Sequence, residues 1–333
     1  MIEILSYPFM QRALLAALLT GIIAPAIGTY IVQRRLSLLG DGLGHVAIAG
    51  VGLALLTGQA PVPWAVAVCV VGAVTVEILR QRGKATGDVG LAILFYGGLA
   101  AGVLMSGIAG QGAAALSQYL FGSLTTVTGS DLMVIGVLAV VVLVPALGLA
   151  PQLFAVSTDE EFARTQGLRV RLYNILIVVL AAVTVTLAMR TVGLLLVSAL
   201  MVVPVAAANN LVKGFYAGLL AAMVVGAAVT VGGAVGSFYL DTPPGALIVV
   251  LAIVVFALSW PYSALVTRRR RVAPVLPELA DDDTMTLHTE VPETHPHKHG
   301  PDCEHPSVRH GDHTDYVHEG HRHAAHGDHY DEH

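Results

Sequence analysis

Long apolar runs separated by short polar breaks fill the chain from residue 12 to residue 266. A helix needs about 20 mostly apolar residues to cross a bilayer. On that measure the pattern predicts spans at 12–32, 42–58, 62–79, 89–108, 132–150, 172–189, 192–210, 214–236 and 244–266. The run at 42–58 is short and rich in glycine, so eight or nine spans are expected; nine would put the termini on opposite sides. The N-terminal run has no small-residue cleavage site after it and reads as the first span. Between spans, the small and polar stretch 109–131 predicts a short outer helix able to gate a pathway. Residues 151–171 predict an amphipathic helix opened by Asp159, Glu160 and Glu161, whose charges suit a helix start. Phe162, Ala163 and Leu168 give it apolar contacts, and Gly167 ends it. Beyond residue 271 the pattern stops. Residues 272–333 are rich in Pro, Asp and His, with almost no large apolar side chains, which predicts a disordered tail.

The expected architecture is therefore an all-α polytopic membrane protein: a transmembrane domain at 1–271 and a tail at 272–333. Composition agrees. Of 333 residues, 55% are hydrophobic and 12% charged, and the mean hydropathy is +0.72, whereas soluble domains carry about 25% charged residues. A secreted disulfide scaffold, a nucleic-acid binder and most soluble enzymes are excluded. The net charge of −5 hides a segregation: the tail is acidic and holds every histidine except His45. Arg34, Arg35, Arg80, Arg82, Lys84, Arg164, Arg169, Arg171, Lys213 and Arg268 to Arg271 all fall on one side of a nine-span topology. The positive-inside rule makes that side, and the tail, cytoplasmic. Only Arg12 and Arg190 fall opposite.

Candidate chemistry is sparse within the spans. Asp41 and His45, in Gly40-Asp41-Gly42-Leu43-Gly44-His45, lie four residues apart and share a helix face. Two readings fit. Ionisable groups in a bilayer are costly and face a cavity or a partner, and carboxylate with imidazole suits a divalent transition metal. Alternatively, Asp41 caps a helix start and His45 bonds to backbone. Two ligands also fall short of a complete metal site. Glu77 is expected to snorkel toward Arg80, Asp88 and Asp131 to cap helices, Arg190 to anchor a helix end, and Asp241 to sit in an outer turn. Gly98-x-x-x-Gly102 and Gly232-x-x-x-Gly236 predict close helix packing. Cys69 and Cys303 are too few and too distant for a disulfide framework.

The tail is different. His295, His297, His299, Cys303, His305, His310, His313, His318, His321, His323, His326 and His329 are interleaved with Asp and Glu. Imidazole-rich tracts bind zinc, copper and nickel over magnesium or calcium. Their spacing reads as irregular, which favours multi-site capture over a closed tetrahedral site. The chain has no phosphate loop of the GxxxxGK[ST] type, no His-Glu-x-x-His and no nucleophile elbow. It therefore reads as neither an ATPase nor a protease.

Four stretches carry a family resemblance: Arg34 through Gly50; Thr191 through Pro204; Ser237 through Val249, with Asp241-Thr242-Pro243-Pro244-Gly245-Ala246; and Tyr119 through Leu124. In this order, spread over residues 10–266, they resemble the ZnuB-like permease subunits of zinc/manganese ABC importers. Ala49 stands where many relatives have proline. The resemblance implies a homodimeric permease with the pathway at the subunit interface, cytoplasmic ATP-binding subunits and an extracytoplasmic metal-binding protein. It places the proposed cation-path pair on Asp41 and His45. It places the ATPase-contacting loop on 151–171, with Asp159, Glu160, Ala163 and Gly167 at matching positions. The expected activity is import of Zn2+ by alternating access, with no permanently bound cofactor and Zn2+ as transported and tail-bound ion. Zinc is preferred over manganese because manganese prefers oxygen ligands; a manganese or iron importer is the alternative. A proton-coupled exporter would need ionisable pairs on two separate spans, and the sequence has one. A membrane metal sensor working through the tail is the third reading.

Overall fold

The computed structural model describes residues 7–81, 87–110, 112–122, 124–270, 289–291, 306–310, 313–318, 321–326 and 329–332. Every expected span lies on a helix: α1 (Pro8–Gln33), α2 (Leu39–Thr57), α3 (Pro61–Gln81), α4 (Gly87–Ile108), α6 (Gly129–Gly148), α9 (Val170–Thr191), α10 (Leu194–Leu211), α11 (Phe215–Leu240) and α12 (Pro244–Arg270). The short helix expected within 109–131 is α5 (Gly112–Phe121), followed by a 3-10 turn at Leu124–Thr126. Among the described residues, seven helices are long and apolar enough to cross a membrane; α4 and α10 contribute shorter apolar stretches, Phe95–Ile108 and Leu196–Leu211. The glycine-rich α2 qualifies and is largely buried.

The expected amphipathic helix at 151–171 is instead two helices, α7 (Ala150–Thr158) and α8 (Glu160–Thr165), before α9 begins. Asp159 makes the break. Its backbone is extended and its carboxylate accepts from the amides of Glu161 and Phe162, each at 2.9 Å, so it caps the second helix instead of continuing the first.

Small residues set the packing. Most of α1 is buried, from Met10 to Ile31, and it packs on α9, α10 and α11. A Cβ at Gly28 would lie 1.8 Å from the Met201 carbonyl oxygen on α10, so the two backbones touch. On α4, Gly98 meets the His45 backbone and Gly102 meets Ile48, as its small-residue motif predicts. On α11 the motif is half used: Gly236 meets the Leu247 side chain at 3.0 Å while Gly232 has only Leu251, at 4.0 Å, and backbone contacts fall at Gly226, which meets Gly21, and Gly233, which meets Ile248. Three of the resembling stretches also converge. Gly122 packs on Gly193, both with positive φ, and Gly245 packs on the Val192 carbonyl.

Buried charges tie the arginine-rich end together. Glu77 does not reach toward water; it is 2% exposed. Its carboxylate accepts from Arg80 at 2.9 and 3.0 Å, from Gln81 at 3.0 Å and from Arg34 at 3.3 Å. Glu160 on α8 lies 3.6 Å from Arg34 and 3.4 Å from Arg80, and accepts from Asn174 of α9 at 2.9 Å. Burial pulls Arg34 below its ordinary range, and Glu77 opposes that shift. At the opposite end, Asp131 caps α6 with Thr128 and pairs with Arg190 at 3.0 Å, so Asp131 and Arg190 do what the sequence predicts. Asp241 sits in a left-handed turn after α11. The side chain of Asp88, and Arg82, Lys84 and Arg271, lie outside the described residues.

The segment after residue 270 is a separate unit. Within it, strands β1 (Thr289–Val291), β2 (Ser307–His310), β3 (His313–His318), β4 (His321–His326) and β5 (His329–Glu332) form one antiparallel sheet, ordered β1-β5-β4-β3-β2. Among the side chains described there, none that is apolar is buried. His295, His297, His299, Cys303 and His305 lie outside the described residues.

Two substitutions test this packing. Glu77→Ala leaves Arg34 and Arg80 facing each other, one of them buried, and should cost about 3–5 kcal/mol, read as a lowered melting temperature in detergent. Gly28→Ala should cost about 1–3 kcal/mol by forcing α1 off α10. Gly136→Ala, whose Cβ meets nothing within 4 Å, should leave the melting temperature unchanged.

Candidate functional site

Asp41 lies in the first turn of α2, yet it does not cap that helix. The N-cap is Leu38, and no side chain bonds to the helix start. The Asp41 carboxylate Oδ1 instead accepts a hydrogen bond from the Ser198 hydroxyl on α10. Gly40 makes this contact possible, since a Cβ there would sit 3.1 Å from the Ser198 Cβ. The helix-capping reading of Asp41 is therefore replaced by a tertiary contact across 157 residues of sequence.

His45, one turn on, is 7% exposed. Its Nδ1 lies 2.7 Å from the Asp41 backbone carbonyl. A carbonyl only accepts, so Nδ1 carries the proton and the Nε2 lone pair is left for another partner. A ring N–H fixed on a carbonyl is also how metal-ligating histidines are commonly oriented. The Phe95 ring stands 3.9 Å from the imidazole, centroid to centroid. Behind it, Gly98 lets α4 rest on the His45 backbone. The site thus offers one oriented carboxylate and one oriented imidazole nitrogen on a single helix face. Among the described residues no group of three or more His, Cys, Asp or Glu side chains converges. Cys69 is buried and donates to the Leu43 carbonyl at 3.3 Å, a packing role beside the pair.

Ser198 carries no charge and no motif chemistry, and the sequence reading gave it no role. The signal was its place inside the stretch from Thr191 to Pro204.

The segment expected to meet a partner subunit divides its residues. Asp159 is exposed and committed to its cap, and Gly167, with φ of 78°, ends the turn at the surface. Ala163 is fully buried against Val156 and Val170. Glu160 turns inward to the Arg34–Glu77–Arg80 cluster. Phe162 is 57% exposed and is the large apolar group this segment presents outward. A cavity of about 650 Å³ is lined by Arg80, Glu160, Arg164, Arg169, Arg171 and Asn174. In the tail, His310, His313, His318, His321, His323, His326 and His329 stand on strands.

Comparison with known proteins supports the same reading of the fold. Residues 6–263 match the ABC 3 transport family. The chain is 33% identical over 263 residues to the manganese transport system membrane protein MntC of Halalkalibacterium halodurans, covering 78% of this chain and 89% of that one. It is 28% identical over 254 residues to the high-affinity zinc uptake system membrane protein ZnuB of Haemophilus influenzae, covering 75% and 97%. A solved structure of PsaBC from Streptococcus pneumoniae in complex with Fab superposes with a TM-score of 0.73 at 25% identity, covering 80% of this chain and 98% of the matched chain. With its apolar helices, its ordered Asp41–His45 face and this match over most of its length, the chain belongs to the ABC 3 transport family as a multi-pass membrane permease.

Proposed function

We propose that this chain is the permease subunit of an ABC importer that passes a divalent transition-metal ion into the cytoplasm, powered by ATP hydrolysed in a separate subunit. The observation that carries the proposal is the Asp41–His45 face. Ser198 holds the carboxylate, and the backbone holds the imidazole so that Nε2 stays open. Side chains fixed this way, with only two ligands per chain, bind an ion without trapping it, which permeation requires. A second copy of the chain, related by a twofold axis, raises the ligands to four. Access then alternates as the helices rock about this level. The arginine-rich end faces the cytoplasm. There the ATP-binding subunit docks on the α7–α8 segment, through Phe162 and the turns at Asp159 and Gly167. An extracytoplasmic binding protein delivers the ion to the opposite end.

Zinc is the reading favoured by the tail, whose imidazoles capture zinc in the cytoplasm and bind manganese poorly. Relatives named for manganese and for zinc are both similar to this chain, and one carboxylate with one imidazole suits either ion. Manganese is therefore the second reading.

Asp41→Ala and His45→Ala should each reduce metal uptake by about 100-fold or more in vesicles carrying the full transporter, with assembly unchanged; normal uptake by both rejects the site. Ser198→Ala should weaken uptake about 10- to 100-fold, the usual effect of losing a group that orients a ligand. For the ion, competition uptake decides: unlabelled zinc should suppress labelled manganese entry, and manganese entry indifferent to zinc would establish the manganese reading.

A further inference from the structure

The tail histidines are not irregular throughout. From residue 310 onward a unit His-x-x-His recurs every eight residues: His310 to His313, His318 to His321, His326 to His329. Each unit coincides with the junction of two strands. The register makes His310 the partner of His313 across β2–β3, His318 the partner of His321 across β3–β4, and His326 the partner of His329 across β4–β5. Residues directly opposite in an antiparallel pair share a face, with Cβ atoms about 4.5–5.5 Å apart.

We propose that these three cross-strand histidine pairs are Zn2+ sites, each ion taking two imidazoles from one pair and water for the rest of its shell. The proposal rests on the reading of the tail as a metal-capturing segment. Zinc takes imidazole nitrogen at about 2.0–2.1 Å, and this ligand class selects zinc, copper or nickel over manganese.

The pairs also answer what holds the sheet together. The strands are three to six residues long. Among their described side chains no apolar one is buried; Val308, Tyr316 and Val317 are half-buried at most. Short hairpins without a hydrophobic face are marginal in water. Metal binding to a site absent from the unfolded chain supplies folding free energy directly. The β3–β4 register, continued two residues beyond Asp315↔Ala324, puts His313 level with His326. One row then carries His310, His313, His326 and His329 across β2, β3, β4 and β5, and the pair His318/His321 closes the opposite end. Zinc at both ends clamps every hairpin closure between β2 and β5.

The test uses the full-length protein in detergent with Zn2+ alone as probe, reading zinc bound per chain and amide hydrogen exchange over residues 307–332. Zinc should slow exchange there by at least about tenfold, and Mn2+ at equal concentration should not. The variant His310→Ala/His318→Ala/His326→Ala, which breaks all three pairs, should lose that protection and weaken zinc binding by at least about tenfold, the scale of losing even an outer partner of a ligand. The variant His295→Ala/His297→Ala/His299→Ala removes as many imidazoles and should keep the protection. If both variants lose zinc equally and zinc never slows exchange in the strands, the tail binds metal without paired sites and the proposal fails alone. If the wild-type chain binds no more zinc than a chain ending at residue 287, the metal-capturing reading fails with it.

Discussion

Backbone contact between helices is the constraint on which the rest of this structure depends. Helix α2 carries an aspartate and a histidine, and it is enclosed by helices that approach closer than side chains allow. Gly40 admits Ser198, Gly98 rests on the His45 backbone, and Gly28 brings α1 against Met201. Helices in lipid have no hydrophobic drive toward one another, so close van der Waals contact and polar links must hold them. The Asp41–Ser198 bond is such a link. The same glycines that allow tight packing therefore decide that Asp41 is held from another helix and not by its own amides. That difference turns a helix-start residue into an oriented carboxylate.

The spans were legible because hydrocarbon leaves the backbone no choice but to form helices. Every apolar run became a helix, including the uncertain one at 42–58. Their partners were less legible, because small residues are spread through all of them. Gly98 and Gly102 pack as a motif search expects, whereas on α11 the contacts go to Gly226 and Gly233 and pass over Gly232. Charge gave the ends but not the pairing: Glu77 and Arg80 are neighbours in sequence, while Arg34 and Glu160 join them from far along the chain. Ser198 was invisible for a similar reason. A serine acquires meaning only through what a distant helix places beside it.

The two ends of the membrane unit are built differently. One is closed by a single ion pair, Asp131 with Arg190, on a capped helix. The other binds α1, α3, α8 and α9 through two carboxylates and several arginines. Arg34 also stands five residues before α2, so α8 is connected by charge to the turn that leads into Asp41 and His45. A push on α8 from a docked subunit would, under the proposed function, reach the helix that carries Asp41 and His45 through these ion pairs, since removing one charge strands the others. Under the proposed function, this is where the work of ATP hydrolysis enters the membrane. In the tail the strands have a register, and among the described side chains there no apolar one is buried.

The most direct measurement is anomalous scattering at the zinc and manganese absorption edges from the transporter soaked in each metal. A peak about 2.1 Å from His45 Nε2 and within bonding distance of the Asp41 carboxylate is the predicted result. A metal peak elsewhere among the helices, with Asp41 and His45 both unliganded, would contradict the account.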